Sequence, residues 1–342
     1  MKFKALLGSV QAVIVFCAIS LSAWADDLQP LSVEALPKLK GSITLYLGRG
    51  EGGLYENVLD AIKKRNPELQ LHIRRGPTAA LANAIVAERQ AGIHKADLFW
   101  AVDSAAIAML EQKNLAQTIQ PEINALLSEG FRYKHWVPVT GRVRTLPYHT
   151  QQLNTADIPD SILALADSDL SIGWAPAYSS FQSFVTAMRL QYGDDKTLEW
   201  LRKIKPKAKS YAGELGVAMA VERGEVDVGF ANHYYTLRLK SGKKDAKINL
   251  AFTQHDAGSL LNVSAISPLS DKPVVQQFIQ YLLTQEVQSY LAQEAYEIPM
   301  VKGVNMPPGL PSMADLAPPK IDLTKLADFQ PTLQLMRKAG IL

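Results

Sequence analysis

Val228-Gly-Phe-Ala-Asn-His-Tyr-Tyr-Thr236 is the stretch on which the reading of this chain turns. Residues 226–231 are mostly apolar, the composition of a buried strand, and polar and aromatic residues that open a helix follow. In open α/β sheets, ligands are held at the carboxyl ends of strands. Tyr234 and Tyr235 fall at that point. Along a strand, neighbouring side chains point to opposite faces, but at a helix start they diverge by only about 100°. Two phenols placed there can reach a common ligand. Phenolates offer hard, anionic oxygen, which suits Fe(III) rather than Zn(II) or Cu(I). Ordinary aromatic packing is the competing reading, and the pair alone does not separate the two.

Outward from this stretch, strands and helices alternate. Strands are expected at 42–47, 69–73, 96–100 and 171–174, with 142–148 also extended. Helices are expected at 54–65, 79–91, 104–113, 181–191, 196–203 and 216–223. Residues 272–294 read as long helices broken near Thr284. Strands spaced by helices argue for parallel βαβ units, and their number fits two α/β lobes better than one sheet. Pro307-Pro-Gly-Leu-Pro311 and Pro318-Pro319 mark turn-rich joints near the C-terminus.

The N-terminus indicates the compartment. Met1-Lys-Phe-Lys4 is basic, residues 5–23 are mostly apolar, and Ala23-Trp24-Ala25 fits a small-x-small cleavage pattern. Residues 1–25 are therefore expected to be a signal peptide cleaved after Ala25. No second long apolar run follows, so stable membrane insertion is not expected. The single cysteine, Cys17, lies inside this segment, and bulky Phe16 argues against a lipoprotein. The mature chain then has no disulfide, thiolate metal site or cysteine nucleophile. An exported, cysteine-free chain fits a bacterial periplasm. The formal charge of +3 becomes nearly neutral once Lys2 and Lys4 are removed, which gives no support for nucleic-acid binding.

Enzymatic readings find little purchase. Gly48-Arg-Gly-Glu-Gly-Gly53 matches the dinucleotide glycine pattern, but the next strand ends in Arg74-Arg75 where that fingerprint wants an acid. There is no P-loop Gly-Lys-Ser/Thr, no Gly-x-Ser-x-Gly elbow and no HExxH. No segment requires catalysis to explain it.

Several segments together resemble periplasmic ferric-ion-binding proteins, the solute-binding components of iron(III) ABC importers. They are Tyr46-Leu-Gly-Arg-Gly-Glu51, Ala96-Asp-Leu-Phe-Trp-Ala101, Gly173-Trp-Ala-Pro176, Arg223-Gly-Glu-Val-Asp-Val-Gly229, Asn232-His-Tyr-Tyr235 and Tyr296-Glu-Ile-Pro-Met-Val-Lys-Gly303. The resemblance runs in order along almost all of the mature chain. It implies the type II periplasmic binding protein fold: two α/β lobes joined by two crossing strands, with iron in the cleft. The implied first lobe is 40–140 with 265–312, and the second is 141–264 with 313–342. The implied partners are an inner-membrane ABC permease and its ATPase, with the binding protein a monomer.

The resemblance assigns residues one at a time. Tyr234 and Tyr235 match the family's tyrosine pair, and Tyr178 stands where the three-tyrosine branch has its third ligand. Gly50 and Val102 occupy the positions where another branch has histidine and glutamate, so those ligands are missing. Glu51 falls where some relatives place a further ligand or an outer-shell group. His233 is read as a packing or supporting residue, and Asp103 as a loop or cap residue. Three phenolates neutralise Fe(III) but leave coordination positions open, which a carbonate or phosphate would fill. Arg49 matches the anion-contacting position, and Arg142 and Arg144 are further candidates or interlobe salt-bridge partners. Ser179 and Ser180 would either donate to the anion from a helix N-terminus or cap that helix. The alternative is a sensory or transport protein that binds a small organic anion on the same scaffold, and three phenolates argue against it.

Overall fold

The computed structural model describes residues 30–48 and 53–342. The expected signal peptide with Cys17, and the candidates Arg49, Gly50 and Glu51, lie outside the described residues.

The first lobe opens with β1 (Gly41–Gly48), α1 (Leu54–Arg65), β2 (Leu69–Gly76), α2 (Thr78–Gln90), β3 (Leu98–Ala101), α3 (Ser104–Gln112) and α4 (Pro121–Ala125). In α1, the helical spacing of Tyr55, Val58, Leu59 and Ile62 buries one stripe. Lys63, Lys64 and Arg65 fill its last turn, where cations suit the helix dipole. β1 lies between β2 and β3 and runs parallel to both.

The chain then crosses on β4 (Val137–His149), a 13-residue strand buried everywhere except at half-buried Arg142. The second lobe contains β5 (Ile172–Trp174), α5 (Ser179–Tyr192), α6 (Asp194–Ile204), β6 (Ala208–Ser210) and α7 (Glu214–Glu222). It continues through β7 (Val228–Gly229), β8 (Ala231–Asn232), α8 (His233–Gly242) and β9 (Ile248–Ala251). The return crossing is β10 (Leu261–Pro268), followed by α9 (Pro273–Leu282), α10 (Gln285–Glu294), β11 (Ile298–Pro299), α11 (Met313–Leu316) and α12 (Phe329–Lys338). Thr284 is the N-cap of α10, so the expected break falls there.

The expected parallel units are present, β1 with β2 and β3 and β5 with β6 and β7, and the crossings make the sheet as a whole mixed: β10 runs antiparallel to β3 and β4, and β4 runs antiparallel to β7, β8 and β9. Both crossings must serve two lobes, and the chain traverses them in opposite directions. The strand expected at 226–231 is split. Val228 aligns with Ile172 of β5, whereas Ala231 and Asn232 pair with Thr145 and Arg144 of β4. Phe230, between them, donates its backbone N–H to the Gly173 carbonyl at 2.9 Å.

Packing fixes where the strand ends point. A Cβ on Gly229 would come within 2.4 Å of Val217 Cγ1, so the bare backbone there lets α7 sit close against β7. Phe181, Phe184, Trp200 and Phe230 form an aromatic core whose neighbouring ring centroids lie 5.4–5.8 Å apart. Such pairs add about 0.5–1.5 kcal/mol each beyond area burial. This core locks α5 to the strand that leads into α8. The tail touches both lobes: the turn at Leu323–Ala327 packs on α3, and α12 packs on α5 and α6. No helix among the described residues is long and apolar enough to cross a membrane.

Candidate metal site

A cleft of about 500 Å³ opens where the lobes meet. Tyr55, Asn83, Val102, Asp103 and Met109 line it from the first lobe, and Tyr178, Ser179, Ser180, Asn232 and Tyr234 from the second. Arg142 and Glu297, on or beside the crossing strands, close its floor.

The three tyrosines come together from two helix starts. Tyr178 occupies the N-cap position of α5, and Tyr234 and Tyr235 lie in the first turn of α8. The Tyr178 and Tyr235 hydroxyls are 2.9 Å apart. The Tyr234 and Tyr235 rings lie 4.6 Å apart, tilted by 54°. Asn232 Nδ2 donates to the Tyr234 hydroxyl at 3.2 Å and to Ser180 Oγ at 3.1 Å, tying the two helix starts together. Burial pushes the Tyr235 phenol well above its ordinary value, and neighbouring Tyr234 and Tyr178 add to the rise. Without a cation, this phenol stays protonated. A trivalent cation at bonding distance reverses that preference, because its charge outweighs desolvation. Among the described residues, no group of three or more His, Cys, Asp or Glu side chains is placed to hold a metal. The phenols, with the carboxylates Asp103 and Glu297 that also line the cleft, are the hard oxygen groups described there.

The two arginines of β4 have different fates. Arg142 lines the cleft, and it finds no hydrogen-bond partner among the described residues. Burial opposes its charge, but the surrounding Tyr234, Asp103, Tyr55 and Glu297 raise its pKa overall. Arg144 does not face the cleft. It is 1% exposed and pairs with buried Glu214 at 2.6 Å. Both partners belong to the second lobe, so this is not the interlobe bridge considered from the sequence. Arg144 also donates to Ser180 Oγ at 2.5 Å, and Glu214 accepts the Asn232 backbone N–H at 2.9 Å. The pair therefore braces both tyrosine-bearing helix starts from beneath.

Neither serine caps α5, whose N-cap is Tyr178. Ser179 is exposed at the cleft, while the Ser180 hydroxyl is engaged by Arg144 and Asn232. The first N–H groups of a helix lack intrahelical partners, which leaves the start of α5 suited to an anion. Asp103 caps α3 by accepting the Ala106 N–H at 3.0 Å. Val102 presents only an apolar side chain to the cleft.

His233 is fully buried. Its Nδ1 accepts the Val143 N–H at 3.2 Å, and its Nε2–H donates to the Tyr296 carbonyl at 2.5 Å. Desolvation lowers its pKa to about 4, so the ring is a neutral prop between the crossing strand and the 295–297 segment. Tyr296 itself has a left-handed φ of 56°, an uncommon conformation for a residue with a Cβ.

Sequence reasoning missed Glu297 and Tyr55. The Tyr55 hydroxyl lies 3.0 Å from each Glu297 carboxylate oxygen, and Thr140 Oγ1 also donates to Glu297. Tyr55 stacks on Trp100 at 4.3 Å. The only signal was the quoted Tyr296-Glu-Ile-Pro stretch, and spacing along the chain does not reveal that α1 meets it.

The profile of bacterial extracellular solute-binding proteins matches residues 43–297. The chain is 28% identical over 311 residues to the Fe(3+)-binding periplasmic protein of Serratia marcescens, covering 88% of this chain and 90% of that one. It is 29% identical over 258 residues to the major ferric iron-binding protein of Neisseria meningitidis, covering 72% and 78%. Among solved structures, iron-bound HitA from Pseudomonas aeruginosa superposes with a TM-score of 0.78 at 29% identity, over 89% of this chain and all of that one.

Proposed function

Because this chain belongs to the bacterial extracellular solute-binding proteins, we propose that it is a periplasmic Fe(III)-binding protein that delivers its metal to an ABC importer. The single observation that carries this reading is the clustering of Tyr178, Tyr234 and Tyr235 from two helix starts, with Tyr178 and Tyr234 lining one cleft and Tyr235 in contact with both. The names of the Serratia and Neisseria relatives agree with it.

In this reading the phenolates neutralise the ferric charge, and a small oxyanion such as carbonate or phosphate completes the coordination. Arg142 and the start of α5 are the described groups suited to that anion, since a guanidinium offers a planar fork and a helix N-terminus offers N–H donors. Arg49 and Glu51 remain candidates by resemblance, as anion holder and further ligand respectively. The protein binds and releases without turnover. Closure about the crossings at β4 and β10 buries the metal and presents one face of each lobe to the permease, a hinge-type clamp. Export, with removal of residues 1–25, belongs to the same reading.

A second reading rests on the size of the cleft. About 500 Å³ is in the range of small-molecule pockets and exceeds what a metal ion needs. A small organic anion on Arg142, for transport or sensing, would use that space. Metal analysis together with a visible spectrum separates the two. The purified mature protein, loaded with Fe(III) in bicarbonate buffer, is expected to retain equimolar iron and turn orange to red through phenolate-to-iron charge transfer. A colourless iron complex, or retention of an organic anion without metal, would overturn the proposal.

A further inference from the structure

Arg238 follows Tyr234 by four residues on α8, one turn along the same helix face. Its guanidinium carbon lies 4.7 Å from the centroid of the Tyr234 ring. The far end of the side chain is anchored: Nη2 donates to the Ala295 carbonyl at 2.8 Å. The adjacent Tyr296 carbonyl takes the His233 Nε2–H. The Tyr234 ring is thus enclosed by the His233 edge, the tilted Tyr235 ring and the Arg238 charge, while Asn232 holds its hydroxyl. Arg238 is not among the residues that line the cleft.

A cation over an aromatic face is attracted by the electron density of the ring. That density is greater in a phenolate than in a phenol, so the attraction strengthens when Tyr234 becomes a metal ligand. Arginine suits the task because it stays charged at every accessible pH and its planar group stacks. Resting on the tyrosine reading above, we propose that Arg238 is a positioning residue of the metal site, whose fixed charge holds the Tyr234 ring and stabilises its phenolate electrons. The metal would bond at the ring's oxygen edge, whereas the guanidinium lies over the face. The charge therefore lowers the donor level of the phenolate more than the acceptor level of the iron. The charge-transfer band accordingly lies at shorter wavelength than it would without Arg238.

The test uses the mature protein loaded with Fe(III) and carbonate, read by visible spectroscopy and by competition with a chelator. Arg238→Gln keeps a donor for the Ala295 carbonyl but removes the charge. It is expected to move the band to longer wavelength and weaken iron retention roughly two- to thirty-fold, the range that cation–π contacts imply. Arg238→Lys keeps the charge and should leave the band near its original position. Arg238→Met supplies the same neutral readout should the Gln variant fail to fold. The proposal is overturned if the neutral variants keep the original band and affinity. It is also overturned if Arg238→Lys shifts the band as far as the neutral variants do, since packing alone would then explain the effect. If the unmodified protein shows no charge-transfer band, the tyrosine reading itself fails, and that result is distinct from both of these.

Discussion

The second-lobe wall of the cleft presents phenols, hydroxyls and an amide: Tyr178, Tyr234, Ser179 and Asn232. The described part of the first-lobe wall presents Ala79, Val102, Ala105, Ala106 and Met109 interleaved with Tyr55, Asn83, Asp103 and Gln112. The support behind them differs as well. Behind the second wall lies a buried ion pair, Arg144 with Glu214, whose hydrogen bonds reach both helix starts. Behind the first, Tyr55 stacks on Trp100 and turns its hydroxyl to Glu297, just before β11, which also accepts from Thr140 of the crossing strand β4. In the proposed ferric site this contrast would amount to a division of labour, with the phenol donors on the second lobe and the first lobe mainly a cover.

The largest effect should come from the second wall itself. Replacing both Tyr234 and Tyr235 by Phe is expected to abolish Fe(III) binding and colour, with Tyr178→Phe weakening both. Equilibrium dialysis with the visible spectrum checks this, and undiminished binding in the double variant would place the site elsewhere. Next is the brace. Arg144→Met leaves Glu214 buried and uncompensated, so a loss of about 3–5 kcal/mol in chemical denaturation is expected. Arg144→Met combined with Glu214→Leu should recover much of that loss, because a buried pair replaced by apolar groups is often neutral.

The prop beneath Tyr234 gives a pH signature. His233 titrates at 6.5 in its ordinary state but at about 4 when buried, because desolvation opposes its charge. Between those values the unfolded chain binds a proton that the folded chain does not. The contribution is therefore complete above pH 6.5 and is lost as the pH falls toward 4, by about 3 kcal/mol in all. Urea titrations across that window should show the decline, and His233→Gln should flatten it. If the slope persists in the variant, another group is responsible.

Between the walls, Arg142→Gln is expected to weaken iron retention in carbonate by roughly 10–100-fold, the value of a charge-assisted hydrogen bond of about 1.5–3 kcal/mol. Its effect should vanish when carbonate and phosphate are both removed. Equal weakening with and without those anions would detach Arg142 from the anion. The smallest effect is expected on the first wall: Asn83→Ala should change affinity by no more than about 0.5 kcal/mol. A larger loss would show that the cover contributes donors of its own and would erase the contrast between the walls.

Much of this was present in the order of residues. Local periodicity marked α1 at its observed bounds and placed the α9–α10 break at Thr284, because amphipathic spacing and caps act within a few residues. The tyrosine pair at a strand-to-helix junction, with Tyr178 at the opening of another helix, was visible as a pattern together with its resemblance to ferric-binding proteins. Four features depended on tertiary structure alone. The sheet became mixed because two crossings traverse it in opposite directions, and the strand before α8 split because its halves pair with different neighbours. Arg142 and Arg144, two residues apart on one strand, parted into a cleft residue and a buried brace because only one of them meets Glu214. Glu297 reached the cleft because α1 brings Tyr55 to it from 242 residues away in sequence. Residue type and spacing settle which chemistry is on offer, since propensity and periodicity are local. Which side chains share a dielectric, a partner or a cavity is settled by contacts between distant segments, and those exist only once the lobes have formed.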